Sequence, residues 1–351
     1  MKKLFCIVLD IIFCSLSILC TGANYSPYYQ TLNVEHLFTH CLIAYPEIAF
    51  NNNNTMKNSY NTDCITKNEF IKILNSLYQN NYILVNINHT FKNQNNLIVK
   101  TPIKVPIGKK PLILSFDDVN YDHKKIGLGM VDKIVLDHSN NLAASTVIGN
   151  KEHISYTNEF IPILENFVKT HPDFSLNGAK ATINLTGYDG ILGYRTHSKN
   201  TLNRQAEIQK VTPIIKKLKE NGWNFACHSF GHYHMSKITD EHFFNEIKLW
   251  KTEVEPLIGE TKIYVYPYGD WQVYQNGELC QKHIALQNSG FELFCGVGMK
   301  TFFSYLPTSC KNKVLFMDRK VIDGTTLRSN NINLLPFFSP RNVYDYSVRP
   351  S

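Results

Sequence analysis

The chain has 351 residues, 43% hydrophobic and 19% charged, an ordinary globular composition with enough apolar material for a sizeable core. Its length allows one large barrel or two smaller domains. The formal net charge of +7 comes from scattered lysines rather than a basic stripe, so no nucleic-acid partner is expected. A mild positive charge fits solubility and attraction to an anionic cell surface equally well.

Lys2 and Lys3 precede a mostly apolar run from Leu4 to Leu19, and the small residues Thr21, Gly22 and Ala23 follow. This is the order of a secretory signal, and the run is short for a membrane span. Residues 1–23 are therefore expected to be a signal peptide or an uncleaved N-terminal anchor. Lipoprotein processing at Cys20 is disfavoured by the bulky Leu19 before it. Either way the rest of the chain is expected to be secreted or associated with the cell surface, and anchoring would be through the N-terminus only. Beyond the signal stand Cys41, Cys64, Cys227, Cys280, Cys295 and Cys310. An even number in an exported chain permits disulfides, and buried free thiols fit as well. No C-x-x-C pair is present, which argues against a thiolate zinc site.

The Asn-rich stretch from Asn51 to Asn61 reads as a loop. Phe70, Ile71, Ile73, Leu74 and Leu77 recur with helical spacing, Thr66 is a plausible N-cap, and Asn80–Asn81 ends the helix. Tyr82 to Ile87 reads as a strand. Pro111 to Phe116 reads as a short buried strand ending in Asp117 and Asp118. Residues 121–155 are polar and carry no clear period. Ile161 to Val168 reads as a helix and Lys180 to Leu185 as a strand. Leu202 to Asn221 is an amphipathic helix with Ile208, Val211, Ile214, Ile215 and Leu218 on one face, stopped by Gly222. Trp223 to Cys227 is a strand leading into His228. Asp240 is expected to cap a helix running to about Glu255, and Lys262 to Tyr266 to form another strand. Alternating helices and short apolar strands predict a parallel α/β architecture.

Three polar clusters follow three of these strands: Asp117–Asp118, His228 with His232, and Pro267 to Gly269. Active sites of parallel α/β folds lie at the carboxyl ends of strands, so the clusters are expected to converge. On an extended segment the Asp117 and Asp118 side chains point to opposite sides, so one can ligate a metal while the other faces a substrate or water. The four-residue spacing of His228 and His232 suits two imidazoles on one metal, on a helix or a tight turn. His234 is read as supporting that pair or lying at the surface. An Asp with two His leaves open positions, with zinc as the default ion and cobalt, nickel or iron as alternatives. Pro267 and Gly269 make a rigid turn that can hold a backbone N–H against a developing oxyanion.

Together, "LSFDD" (Leu114 to Asp118), "HSFGH" (His228 to His232) and "YPYG" (Tyr266 to Gly269) resemble the three motifs of polysaccharide deacetylases, carbohydrate esterase family four. "GAKATINLTGYDG" (Gly178 to Gly190) resembles the strand between the first two. "FIKILNSLYQNNYILVNI" (Phe70 to Ile87) is similar to the helix and strand that precede the first motif in de-N-acetylases of exported poly-N-acetylglucosamine. The resemblance spans about residues 65 to 300. It implies a distorted (β/α) barrel of about seven strands and metal-dependent hydrolysis of N- or O-acetyl groups on a carbohydrate polymer containing acetylated amino sugars. It places a 24–105 extension on a catalytic domain of residues 106–340, followed by a 341–351 tail. Asp117 matches the family's base, Asp118, His228 and His232 its metal ligands, and Tyr268 the residue whose backbone N–H lines the oxyanion hole.

The sequence departs from the family pattern in three places. Val265 stands where many members carry an Arg that steers the base; Arg319, in "FMDRKVIDG", could supply that charge. No Leu-His pair follows residue 270 to supply the acid; His283 is a poor substitute and Asp318 an alternative. About 60 residues separate the first motif from the next strand, which predicts an insertion. The missing acid leaves open a non-catalytic, glycan-binding descendant, and a hydrolase of a non-sugar amide or ester is a third reading.

Overall fold

The computed structural model describes residues 29–350 apart from 96, 150, 276–277, 300–302 and 306–313. The expected signal segment and Cys310 lie outside the described residues. Strands run in the order β1 (Glu35–His40), β2 (Tyr82–Leu84), β3 (Lys110–Asp117), β4 (Lys133–Leu136), β5 (Leu142–Ile148), β6 (Lys151–Ser155), β7 (Thr182–Leu185), β8 (Asn224–Cys227), β9 (Ile263–Val265), β10 (Leu293–Val297) and β11 (Val314–Val321). Seven of them close a parallel ring in the order β1, β3, β7, β8, β9, β10, β11 and back to β1. The expected distorted barrel is thus the observed fold. The distortion has a visible source. One edge of β3 is shared, with β2 pairing at Lys110–Leu112 and β7 taking over at Ser115–Phe116.

Around the ring lie α1 (Lys57–Asp63), α2 (Lys67–Gln79), α3 (Phe160–Thr170), α4 (Arg204–Glu220), α5 (Asp240–Leu249) and α6 (Gln281–Asn288). The ring strands are buried on both faces, so they read as near-continuous apolar runs. Alternation then sorts them: Leu112, Leu114 and Phe116 of β3 face the helices, while Ile113 joins Ala226, Ile263, Val265, Leu293, Cys295, Leu315 and Met317 inside the barrel. Towards the carboxyl ends the inward residues turn polar, giving Ser115, Asp117, Asn184, His228 and Arg319. That gradient puts the chemistry at one end of a packed barrel.

Most local readings hold with shifted edges, but the loop expected over Asn51–Asn61 gives way to α1 from Lys57 onward. Thr66 caps α2 in a full capping box with Glu69. The helix after the second motif is capped by Thr239, one residue before the expected Asp240. It passes through a π-helical turn at Trp250–Val254 and runs on to Ile258. The strand expected over 82–87 stops at Leu84, and Ile87–His89 is a 3-10 turn. The aperiodic 121–155 stretch contains the antiparallel sheet β4–β5–β6, the body of the expected insertion.

The 24–105 stretch, expected as an extension, contributes β1, a strand of the ring itself. The 341–351 tail is docked rather than loose: Arg349 forms a fully buried ion pair with Glu69 at 2.7 Å. Cys41, Cys64, Cys227, Cys280 and Cys295 are buried free thiols. Among the described residues, no helix is long and apolar enough to cross a membrane.

Candidate active site

At the carboxyl ends of the strands lies a cavity of about 530 Å³, lined by Asp117, Asp118, His228, His232, Tyr268 and Arg319 together with His40 and Lys125. A larger hollow of about 750 Å³, around Trp223, Asn224 and Lys262 at the opposite end of the barrel, contains none of the motif residues.

Asp117 is the last residue of β3, and the next residue leaves the strand: Asp118 has φ 59°, in the left-handed region. This overturns the expectation that the two carboxylates diverge. That expectation assumed extended backbone through both residues, and the left-handed Asp118 swings its side chain back. Both acids consequently face one imidazole. His228 Nε2 is 3.6 Å from Asp117 Oδ2 and 4.0 Å from Asp118 Oδ1.

His228 follows β8 and is anchored by its N–H to the Leu185 carbonyl at 2.8 Å. Its Nδ1 lies 2.9 Å from the Val265 carbonyl. An Nδ1–H donating to that carbonyl leaves the Nε2 lone pair facing the acids. His232 sits on a tight turn, not a helix, with Nε2 3.4 Å from Asp118 Oδ1 and Nδ1 3.1 Å from the Tyr268 hydroxyl. Burial pushes the His232 imidazole down to about 4 against the pull of Asp118, so it is neutral at pH 7.

One atom in this group stands out. Asp118 Oδ1 is buried and has no hydrogen-bond partner. It faces two imidazole nitrogens, and one ligand atom from each of the three residues lies within 4.8 Å of the others. Two ligands at about 2.0–2.2 Å from one ion cannot be more than ~4.4 Å apart, a limit that the separations of 3.4 and 4.0 Å from Asp118 Oδ1 to the two imidazoles satisfy. The donor set of one carboxylate and two imidazoles fits a divalent metal.

Asp117 is held differently. Arg319, inside the barrel on β11, grips it with two bonds, Nη1–Oδ1 at 2.7 Å and Nη2–Oδ2 at 3.0 Å. Asn184 of β7 adds a 2.6 Å bond to Oδ1. The Arg319 guanidinium also lies 4.0 Å over the Phe38 ring. Burial alone would raise the Asp117 carboxyl, but Arg319 and His228 outweigh it and hold the group well below the usual carboxylate range. The charge absent at Val265 therefore comes from Arg319, two strands away around the ring.

Asp318 is not brought to the cavity. Strand alternation turns it to the opposite side from Arg319, where its carboxylate lies against Gly296 and Gly298. His283 is fully buried in α6 against Phe294, at a ring distance of 4.5 Å. Tyr268 has φ 61°, and its ring is stacked at 3.8 Å on His234, which thus supports the site from outside.

His40, at the end of β1, was missed. The β1–β3 register sets it directly beside Asp117, and its charge acts on Asp117, Asp118 and His232. Its Nδ1 lies 2.9 Å from the Asp63 carbonyl. The signal available in sequence was a histidine closing an apolar run, too weak to single out.

Comparison with known proteins adds to this geometry. No curated protein matches the chain. Among solved structures, a Streptococcus pyogenes deacetylase in complex with acetate is similar at 14% identity, covering 89% of this chain and 100% of that one with a TM-score of 0.46. A polysaccharide deacetylase from Bacillus cereus is similar at 14% identity, covering 86% of this chain and 69% of that one with a TM-score of 0.43. Residues 175–281, which include the second and third motifs, match the family model described as polysaccharide deacetylase. The resemblance carried by the second and third motifs is thereby met over that stretch.

Proposed function

We propose that this protein is a metal-dependent hydrolase that removes acetyl groups from an N- or O-acetylated carbohydrate polymer, and that it acts outside the cytoplasm. The observation that carries the reading is the unpartnered Asp118 Oδ1 between two imidazoles, beside an Asp117 clamped ionised by Arg319. The order of charged, apolar and small residues at the N-terminus supports the location.

Asp118, His228 and His232 would hold the ion, zinc by donor type, which when bound polarises a carbonyl and acidifies water. Asp117 accepts the proton of the attacking water. Arg319 and Asn184 keep it ionised and aimed, at the cost of making it a weaker base. The Tyr268 backbone N–H is assigned to the oxyanion. His40 is the proton donor to the departing amine: with Nδ1–H given to the Asp63 carbonyl, its protonated ring carries a second N–H on Nε2 for the cavity. Asp318 is set aside for this role. A proton donor at His40 is what favours this reading over a non-catalytic one.

The test is acetate release from N-acetylglucosamine oligomers by the zinc-loaded protein, with Asp117→Asn reduced by at least about 10²-fold. Stoichiometric zinc binding without acetate release from any acetylated oligomer would sink the hydrolase reading.

A further inference from the structure

His228 and His232 are joined by a turn in which two non-glycine residues, Ser229 at φ 55° and His232 at φ 58°, have left-handed backbone. Such residues cost on the order of 1 kcal/mol or more each and persist only where surrounding contacts fix them. Four hydrogen bonds hold the turn here. The Phe230 carbonyl accepts the N–H groups of Gly187 at 2.9 Å and Tyr188 at 3.0 Å. Ser229 Oγ accepts the His232 N–H at 2.9 Å. From the side away from the cavity, Glu246 of α5 accepts the Gly231 N–H through Oε2.

Glu246 is an expensive residue to place there. It is 4% exposed, and its nearest basic group among the described residues is His242, 3.9 Å from Oε1. Burial pushes its carboxyl up, and the Gly231 and Phe230 N–H groups oppose that. A buried carboxylate without a strong cationic partner costs stability that an apolar side chain would not. The turn leaves no slack around it: a Cβ on Gly231 would stand 2.3 Å from the Tyr233 ring and 3.0 Å from Glu246 Oε1.

We propose that Glu246 is a positioning residue for metal binding, whose carboxylate holds the Gly231 N–H and thereby sets the spacing of His228 and His232. The inference rests on the reading of Asp118, His228 and His232 as a metal site, and it assigns a residue that touches neither the ion nor the substrate. Loss of an outer partner of this kind weakens metal affinity by about 10–100-fold.

The test is zinc titration of the metal-free native protein and of Glu246→Met, which keeps the side-chain length and removes the acceptor, with the melting temperature of each metal-free form measured alongside. The native chain is expected to bind one equivalent. Glu246→Met is expected to bind about 10–100-fold more weakly while melting within a few degrees of native. Equal zinc affinity in a folded Glu246→Met overturns the proposal and leaves the metal site standing. No zinc binding by the native chain overturns the metal reading itself. Should the variant not fold, the Gly231 amide of the native protein decides by NMR. Slow hydrogen exchange and a shift on zinc addition support the proposal, and exchange at exposed-loop rates with no response to zinc overturns it.

Discussion

Two clusters in this molecule draw on the same two residue types and have opposite character. Asp118, His228 and His232 form one; Asp122, His123 and Asp189 form the other, and each could bring three ligand atoms within 4.8 Å. In the second, every carboxylate oxygen is already used. Asp189 Oδ2 takes the His123 N–H at 2.7 Å and Arg195 Nη1 at 2.8 Å, while Oδ1 faces His123 Nδ1 at 3.0 Å. Asp122 accepts the Lys124 N–H at 2.9 Å and the Tyr188 hydroxyl at 3.1 Å. In the first, Asp118 Oδ1 has no hydrogen-bond partner, and the arginine is on the neighbouring Asp117. A guanidinium on the carboxylate repels a second cation, and one on the adjacent carboxylate leaves the first available. Which acid the arginine grips separates a structural knot from a candidate metal site.

The largest expected effect tests that contrast directly. Asp118→Asn should abolish the single zinc equivalent, and Asp189→Asn should leave its stoichiometry unchanged while costing stability of about 1–3 kcal/mol from unpaired polar groups. Two equivalents in the native protein, or loss of zinc on changing Asp189, would break the comparison.

Next in size is His40. His40→Ala should lower kcat for acetamide substrates by roughly 10²–10⁴-fold and leave an activated aryl acetate much less affected, because that leaving group needs no proton. Equal losses on both substrates would count against a proton-donating role.

Arg319→Met should cost about 3–5 kcal/mol in unfolding free energy by stranding a buried carboxylate. The sign of its pH effect follows from the pairing. With Arg319 present, Asp117 titrates below its unfolded value, so the pair's contribution is fully present above pH ~4 and fades only as pH falls through the depressed folded value. Without Arg319 the Asp117 carboxyl rises, and the acid limb of the pH–rate profile should move to higher pH. An unmoved limb would mean that Arg319 does not tune the base.

The parts of the site that were legible in sequence were local. Asp117–Asp118 and His228–x₃–His232 each sit within five residues, and their position after apolar strands followed from composition alone. Tyr268 was visible because Pro267 and Gly269 mark a turn. Asn184, Glu246 and His40 were not legible, since nothing in their immediate neighbours distinguishes them. Arg319 and Asp318 were candidates for different roles, and nothing local tells which of two adjacent residues faces the cavity.

The sequence by itself determined the alternation of helix and strand, the capping of α2 by Thr66 and Glu69, and the residue types able to hold a cation. Those depend on hydrogen bonds and periodicities a few residues long. Tertiary structure decided the rest. Parallel pairing of β1 with β3 set His40 beside Asp117, and the two-residue period of β11 turned Arg319 inward and Asp318 away. The left-handed turn at Asp118 brought two acids to one imidazole. Register and backbone handedness are settled by what a strand packs against, so these assignments exist only once the ring has closed.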